Sequence, residues 1–346
     1  MSRILNNTII LSDSLIDSSR GQADQIVIDI WLLFSVFTGI AGNVYVLFAT
    51  NVYGAIRIDD MSLWFINNLA ITDIISTVIM VVPVSIVNLC GNRWIFGDFL
   101  CIVIAFVSRI PFIANILLIV GLSINKLYRV SFPLRSLDMS NKTKRFWLTI
   151  VLTLAIINPF LGLFFNNFTA TIQYNGMASV CRLIKEGFAV VVVRLILYII
   201  LPSISLVITN IALIIIAFRK TQSSVNKRNI VVVLGVTLQF LIAFIPYTFV
   251  LSIAFFIPVQ DWLVRGAFSL LYTACWFNPF VYYLNNPRFK EFTNSWLRGM
   301  FKGMVRCDSC QFNWKRSYFY RMLVVSPNRS GGNTENGPEL FELSSR

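Results

Sequence analysis

The side chains able to do chemistry in this chain are few, and most lie inside apolar runs. Asp73 closes Leu69-Ala70-Ile-Thr-Asp73, Asn43 is set in Gly42-Asn43-Val44, and Arg109 and Arg194 stand among Ile, Val, Phe and Leu. A carboxylate in apolar surroundings must be paired, hydrated or protonated, so Asp73 points to a water or cation pocket. Asn43 suits a packing contact between helices. Guanidinium groups shielded from water bind carboxylate or phosphate by paired hydrogen bonds. The competing reading is that the two arginines snorkel to headgroups or pair with Asp98, Glu186 or Asp261. Histidine is absent, which removes Ser-His-Asp catalysis, His-based zinc sites and His proton relays. Binding and switching are the chemistry on offer; no catalytic residue, metal centre or organic cofactor is expected.

Groups of this kind need elements that cross a membrane. The 346 residues are 56% hydrophobic and 13% charged, with mean hydropathy +0.72, which is more apolar surface than one soluble core would use. Seven runs reach the ~20 residues that a membrane-crossing helix takes: Ile26–Ala49, Leu63–Leu89, Phe99–Val120, Trp147–Phe165, Phe188–Ala217, Ile230–Ile257 and Leu263–Leu284. The predicted fold is an all-α integral membrane bundle of seven helices over 26–285. An extracellular tail over 1–25 precedes it, with no cleaved signal. An amphipathic surface helix over 286–299 and a largely disordered cytoplasmic tail over 300–346 follow. The loops 51–60, 125–146 and 219–228 hold eleven Lys and Arg against three in the alternate loops, placing the N-terminus outside and the C-terminus in the cytoplasm of a plasma-membrane protein. The net charge of +13 sits in these loops and the tail, so lipid headgroups and cytosolic proteins, not nucleic acid, are the expected counterparts.

Cys101 and Cys181 face the oxidising side, and a disulfide from the second outer loop to the third span is chemically reasonable, with Cys90 as an alternative partner. Sequons at Asn6 and Asn167 fall on the same side. Pro202, Pro246 and Pro279 interrupt the last three spans and predict kinks. Phe289, Phe292 and Trp296 share one face of a helix beside basic residues, a pattern that lies on the inner leaflet. Cys307 and Cys310 are within reach of acylation or remain free thiols.

Taken in order, these marks resemble the rhodopsin-like family of G-protein-coupled receptors, from about Asn43 to Phe292. Asn43, Leu69-Ala70-Ile-Thr-Asp73, Trp94-Ile-Phe96-Gly97 with Cys101, then Cys181, Pro202, Phe240 with Phe244-Ile-Pro246, Asn278-Pro279-Phe-Val-Tyr282 and Phe289-Lys290 carry the likeness. The resemblance implies a Cys101–Cys181 disulfide and a polar pocket of Asn43, Asp73, Asn115 and Asn278 able to hold Na+. It implies a ligand cavity near Ser108, Arg109, Phe112, Arg194, Tyr247 and Tyr272. Its switching and coupling residues would be Asn125, Lys126, Leu127, Phe244, Pro246, Asn278, Pro279 and Tyr282. A heterotrimeric G protein would be the main partner, with arrestin and receptor kinases acting on a tail that contains Ser317, Ser326 and Thr334.

The departures are equally informative. Asn125-Lys126-Leu127 stands where the family usually has Asp-Arg-Tyr, so the charge remains but the bidentate fork and the acidic counter-ion are lost. Phe244 replaces a tryptophan, Asn210 a tyrosine, and Asn226 supplies no acid to the inner end of the sixth span. Ser108 takes the place of an amine-binding aspartate and Tyr272 that of a retinal-binding lysine, which argues against an aminergic ligand and a Schiff-base opsin. The expected ligand is an anionic small molecule, lipid or peptide. The alternatives are a non-coupling scavenger or arrestin-biased receptor of the same fold, or a transporter; against the last stand the absence of an internal repeat and the scarcity of acids in the spans.

Overall fold

The computed structural model describes residues 2–51, 60–132, 141–165, 172–175, 179–183, 188–219, 224–257, 259–285, 289–291, 293, 294 and 298. Its helices are α1 (Ser2–Asn51), α2 (Asp60–Ser76), α3 (Val82–Leu89), α4 (Gly97–Val107), α5 (Arg109–Ser131), α6 (Asn141–Phe165), α7 (Phe188–Leu195), α8 (Leu201–Arg219), α9 (Ser224–Phe256), α10 (Asp261–Tyr272) and α11 (Phe277–Asn285). Six helical stretches are long and apolar enough to cross a bilayer: Gln25–Asn51, Met61–Leu89, Gly97–Ser131, Asn141–Leu161, Phe188–Ile216 and Val233–Ala254. The seventh span is α10 and α11, broken by a 3-10 turn at Thr273–Cys275, so neither half reaches that length alone. The expected seven-helix bundle is thus present, with its last member interrupted.

The side chains sort as a bilayer solvent requires. Phe65, Phe240, Phe244, Leu69, Ile116 and Leu206 are fully buried between helices, while Phe37, Phe146, Phe160, Ile208 and Phe249 point outward and are exposed. In water so much exposed hydrocarbon would be a liability; against lipid tails it costs nothing, and packing between helices then rests on close contact. Gly42 lies against the Pro279 ring and Gly235 against Val281, so both glycines let the seventh span approach its neighbours.

Proline shapes the spans more widely than expected. A π-helical segment, Thr77–Val81, precedes Pro83, and another, Ile196–Ile200, precedes Pro202. In each case the ring removes one N–H and crowds the carbonyl four residues back, and a wider turn relieves the clash. Pro111 follows a turn at Ser108 that separates α4 from α5. Pro246, predicted to kink, lies inside an unbroken α9. Pro83 and Pro111 were not singled out from sequence, although their effect follows from the same chemistry.

Two local features add to the expected helical bundle. The connection between α6 and α7 contains a hairpin of β1 (Ile172–Asn175) and β2 (Val180–Leu183), antiparallel with Tyr174 opposite Cys181. The stretch ahead of the first span is helical from Ser2 and continuous with it. Phe289–Glu291, Thr293 and Asn294 are helical, with Phe289 buried and Lys290 and Glu291 exposed. Phe292, Trp296, Asn167, Cys307 and Cys310 lie outside the described residues, and Asn226 falls in the first turn of α9. The chain divides into units Met1–Thr293 and Asn294–Arg346; in the second, Arg298 Nε donates to the Asn294 carbonyl at 3.0 Å.

One glycine gives a direct test of this packing. A Cβ at Gly121 would lie 2.5 Å from Phe65 Cε1 and 3.3 Å from Trp147 Cζ3, and Phe65 is itself wedged between Trp64 and Trp147. Gly121→Ala should therefore cost about 1–2 kcal/mol, overpacking of ~1–3 kcal/mol being partly offset by alanine's helix propensity. Thermal unfolding of the purified protein should show a lower Tm for Gly121→Ala. Gly266→Ala, where a Cβ meets nothing within 4 Å, should unfold at or above the wild-type temperature.

Candidate functional site

A cavity of about 400 Å³ opens between the spans beneath the β-hairpin. The turn at Ser108 places Ser108 and Arg109 on its wall, and Phe112, three residues further along α5, reaches its floor. Arg194 comes from the end of α7, just before the π-helical segment, and its Nη2 donates to the Asn158 carbonyl at 3.2 Å. Tyr247, Thr248, Leu251 and Ser252 of α9 and Phe268 of α10 complete the opposite side. Arg109 and Arg194 are the charged residues of the described lining, which is otherwise mainly apolar.

The roof is tied down by covalent and polar contacts. Cys101 and Cys181 form the disulfide, with their Cα atoms 5.3 Å apart, and Cys181 and Val180 line the cavity. Cys90 is a free, exposed thiol, which removes it as the alternative partner. Tyr174 donates to Asn92 Oδ1 at 2.6 Å, Ser179 Oγ donates to the same oxygen at 2.7 Å, and Gln25 Nε2 donates to Asn88 Oδ1 at 3.1 Å. Burial pushes the Tyr174 phenol above the ordinary tyrosine range, against the opposing effects of Ser179 and the Arg265 guanidinium. Arg265 thus lies near the hairpin and is not part of the lining. Asp98 and Asp261, offered as partners for the arginines, are exposed near the starts of α4 and α10, and Glu186 lies outside the described residues.

Of the six residues expected at the ligand site, Ser108, Arg109, Phe112, Arg194 and Tyr247 line this cavity and Tyr272 does not. Tyr272 ends α10 one turn deeper than Phe268 and, with Asn115, Phe244 and Cys275, lines a void of about 10 Å³ under the floor. Phe268 takes the wall position instead. The four-residue step back from Tyr272 on the same helical face was the available signal. Asn158 and Tyr198 were also missed, since a lone amide and a lone phenol in apolar runs carry no pattern.

Below the void, the predicted polar pocket forms a connected set. Asp73 is completely buried; Oδ1 accepts from Asn115 Nδ2, and Oδ2 accepts from Asn278 Nδ2 at 2.9 Å. Asn43 does not touch the carboxylate. Its Nδ2 donates to the carbonyls of Gly39 and Cys275, both at 2.8 Å, and so joins the first span to the broken turn of the seventh. Among the described residues, Asn43 Oδ1, Asn115 Oδ1 and Asn278 Oδ1 have no donor, leaving oxygen atoms with spare lone pairs around one carboxylate.

At the end of α5 away from the disulfide, Asn125 Nδ2 donates to Ser62 Oγ at 2.9 Å, tying α5 to α2; Lys126 and Tyr282 are also buried. Leu127 is half-buried. Asn210 Nδ2 donates to Thr237 Oγ1 at 2.8 Å, a direct tie between the fifth and sixth spans. Phe244 stacks on Phe240 at 4.7 Å and meets Phe112 at 4.9 Å. Pro246 lies one helical step beyond this stack, and Pro279 packs against Gly42.

Comparison with known proteins agrees with this architecture. The profile of the 7 transmembrane receptor (rhodopsin family) matches residues 42–282. Melatonin receptor type 1A of Phodopus sungorus is 24% identical over 282 residues, covering 75% of this chain and 77% of the relative. Rhodopsin, GQ-coupled, of Mizuhopecten yessoensis is 22% identical over 292 residues, covering 77% of this chain and 58% of the relative. The crystal structure of squid rhodopsin superposes with a TM-score of 0.68 at 17% identity, covering 88% of this chain and 92% of that one.

The central cluster yields a stability test. Asn278→Ala would leave Asp73 Oδ2 without its donor in a fully buried site, a loss of about 1–3 kcal/mol. Thermal unfolding in a lipid nanodisc should show this as a reduced Tm, whereas exposed Lys290→Ala should leave it unchanged.

Proposed function

The chain belongs to the rhodopsin family of seven-transmembrane receptors, and on that footing we propose that it responds to an extracellular anionic ligand and passes the response to a heterotrimeric G protein. The observation that carries the ligand reading is the cavity of about 400 Å³ with Arg109 and Arg194, and no described acid, in its lining. Family membership makes it a multi-pass plasma-membrane protein that signals through G proteins. The excess of basic residues in alternate loops and a disulfide at the opposite end support an extracellular N-terminus and a cytoplasmic C-terminus. Asn6 and Asn167 are then available for glycosylation. Tyr272, at the retinal-lysine position of the family, argues against a Schiff-base chromophore although rhodopsins are among the relatives.

The donor set around Asp73 suits Na+. A carboxylate bonded by two asparagines whose own oxygens lack donors offers the hard oxygen ligands such a cation takes; Asp73, Asn115 and Asn278 would hold it, and Asn43 would orient the seventh span. Ligand control requires different affinities for two arrangements of the bundle. On this reading the arrangements are separated by the ties of Asn125 to Ser62 and Asn210 to Thr237, and the G protein engages the inner face around Lys126. Arrestin and receptor kinases would act on the same face and on the tail.

A second reading rests on Asn125-Lys126-Leu127 itself: without an acidic counter-ion and an arginine fork, the chain would bind ligand without G-protein coupling, as a scavenger or arrestin-biased receptor. Ligand-free G-protein activation in cells, at matched surface expression, separates the two. We expect basal signalling in wild type that falls in Asn125→Asp/Lys126→Arg; restoring a restraint of ~1 kcal/mol changes the ratio of the two arrangements about fivefold. Silence in wild type with signalling in the double variant would favour the non-coupling receptor.

A further inference from the structure

The cavity is chemically lopsided. Its charge comes from one side, with Arg109 on α5 and Arg194 on α7 held beside the fourth span by the Asn158 carbonyl. The other side carries no charge: Leu251, Phe268 and Tyr247 line it with Thr248 and Ser252, whose hydroxyls already donate to the Phe244 and Thr248 carbonyls of their own helix. Phe112 lines both this cavity and the void beneath it, so its ring forms part of the partition between them. That floor has little freedom, because Phe112 is packed on Phe244 at 4.9 Å and on Tyr247 at 6.1 Å, and Tyr247 on Phe268 at 5.1 Å.

An inorganic or densely charged anion would pair with the arginines and leave the aromatic side facing nothing. A neutral hydrocarbon would displace water from the guanidinium groups without replacing its hydrogen bonds. Resting on the anionic-ligand reading above, we propose that the ligand is a small amphipathic monoacid. Its carboxylate is held between Arg109 and Arg194, its apolar body crosses Leu251, Tyr247 and Phe268, and its far end stops against Phe112. The size follows from volume. A cavity of about 400 Å³ has room for roughly a dozen waters at ~30 Å³ each, which fits an aryl or medium-chain alkyl acid and is too small to take in a two-chain lipid whole. Because the floor is rigid, the site selects length as well as charge.

The test uses the full chain in lipid nanodiscs and reads ligand affinity from thermal shifts. The probes are an unbranched series from phenylacetate to phenyloctanoate, the primary amides of the same acids, and inorganic phosphate. We expect affinity to rise with chain length to an optimum and then fall, and the amide of the optimal acid to bind at least about tenfold more weakly. Arg109→Gln and Arg194→Gln should each lose about tenfold for the acid and little for the amide. Phe112→Ala should move the optimum to a longer acid. The wild-type length series needs no variant, so the proposal stays testable if a substitution impairs folding.

The two layers fail in different ways. Phosphate stabilising the protein as well as the best acid, with the same dependence on the arginines, would leave the anionic reading standing and overturn the amphipathic one. Acids and amides binding alike would overturn both, as would the absence of a shift with every probe. Affinity that rises without an optimum, or an optimum unmoved by Phe112→Ala, would overturn Phe112 as the end wall.

Discussion

The bundle depends on one buried carboxyl group. Asp73 on the second span accepts from Asn115 on the third and Asn278 on the seventh, so three helices that share little sequence are registered against one another at a single residue. In a hydrocarbon solvent the helices gain nothing from burying apolar side chains against each other, because lipid tails are equally apolar. A hydrogen bond to a carboxyl oxygen, by contrast, has no competitor outside the protein. The asparagines at 43, 115 and 278 are therefore more than packing residues: their amide donors are committed to oxygens, and the positions of three spans follow from that commitment.

The same accounting for backbone groups explains where the spans bend. Proline removes an N–H that lipid cannot replace, and the chain answers with wider π-helical turns before Pro83 and Pro202 and a break before Pro111. Two of these irregularities border the cavity of about 400 Å³. The turn at Ser108 sets Ser108 and Arg109 on its wall, and the π-helical segment after Arg194 carries Tyr198 and Ile199 into it. An ideal helix would present these side chains at fixed steps of about 100°. The irregular turns supply orientations that regular geometry does not, and the cavity is built where they cluster.

Long periodic features were legible from sequence, and local deviations were not. The seven spans and Asp73 follow from apolar run length and from a polar residue standing out against it, whereas the grouping of Asn115 and Asn278 with Asp73 and the cavity positions of Arg109 and Arg194 came from the resemblance to the receptor family. The β-hairpin left no such mark, because Ile172–Asn175 and Val180–Leu183 are only four residues each and their pairing is fixed by Tyr174, Asn92 and the disulfide, which are long-range contacts. Tyr272 was misplaced for a related reason. Its position depends on the 3-10 turn at Thr273–Cys275, which no residue in that stretch announces. The break itself is stabilised from outside the helix, by Asn43 donating to the Cys275 carbonyl and Gln239 donating to that of Ala274.

That external stabilisation links the two halves of the site. Carbonyls released by the turn in the seventh span are taken up by amides from the first and sixth spans, and the next turn carries Asn278 to Asp73. On the third span, Phe112 forms the cavity floor and Asn115, three residues on, donates to the same carboxyl group; this spacing puts both on one helical face. Phe112 is packed on Phe244 and Tyr247, so force on its ring passes to the helix face that also presents the Asn115 donor. Asp73 is where that face meets the seventh span, which leads on to Tyr282. The cavity and the far end of the seventh span are thus joined through a helix turn and two hydrogen bonds, a short and stiff path.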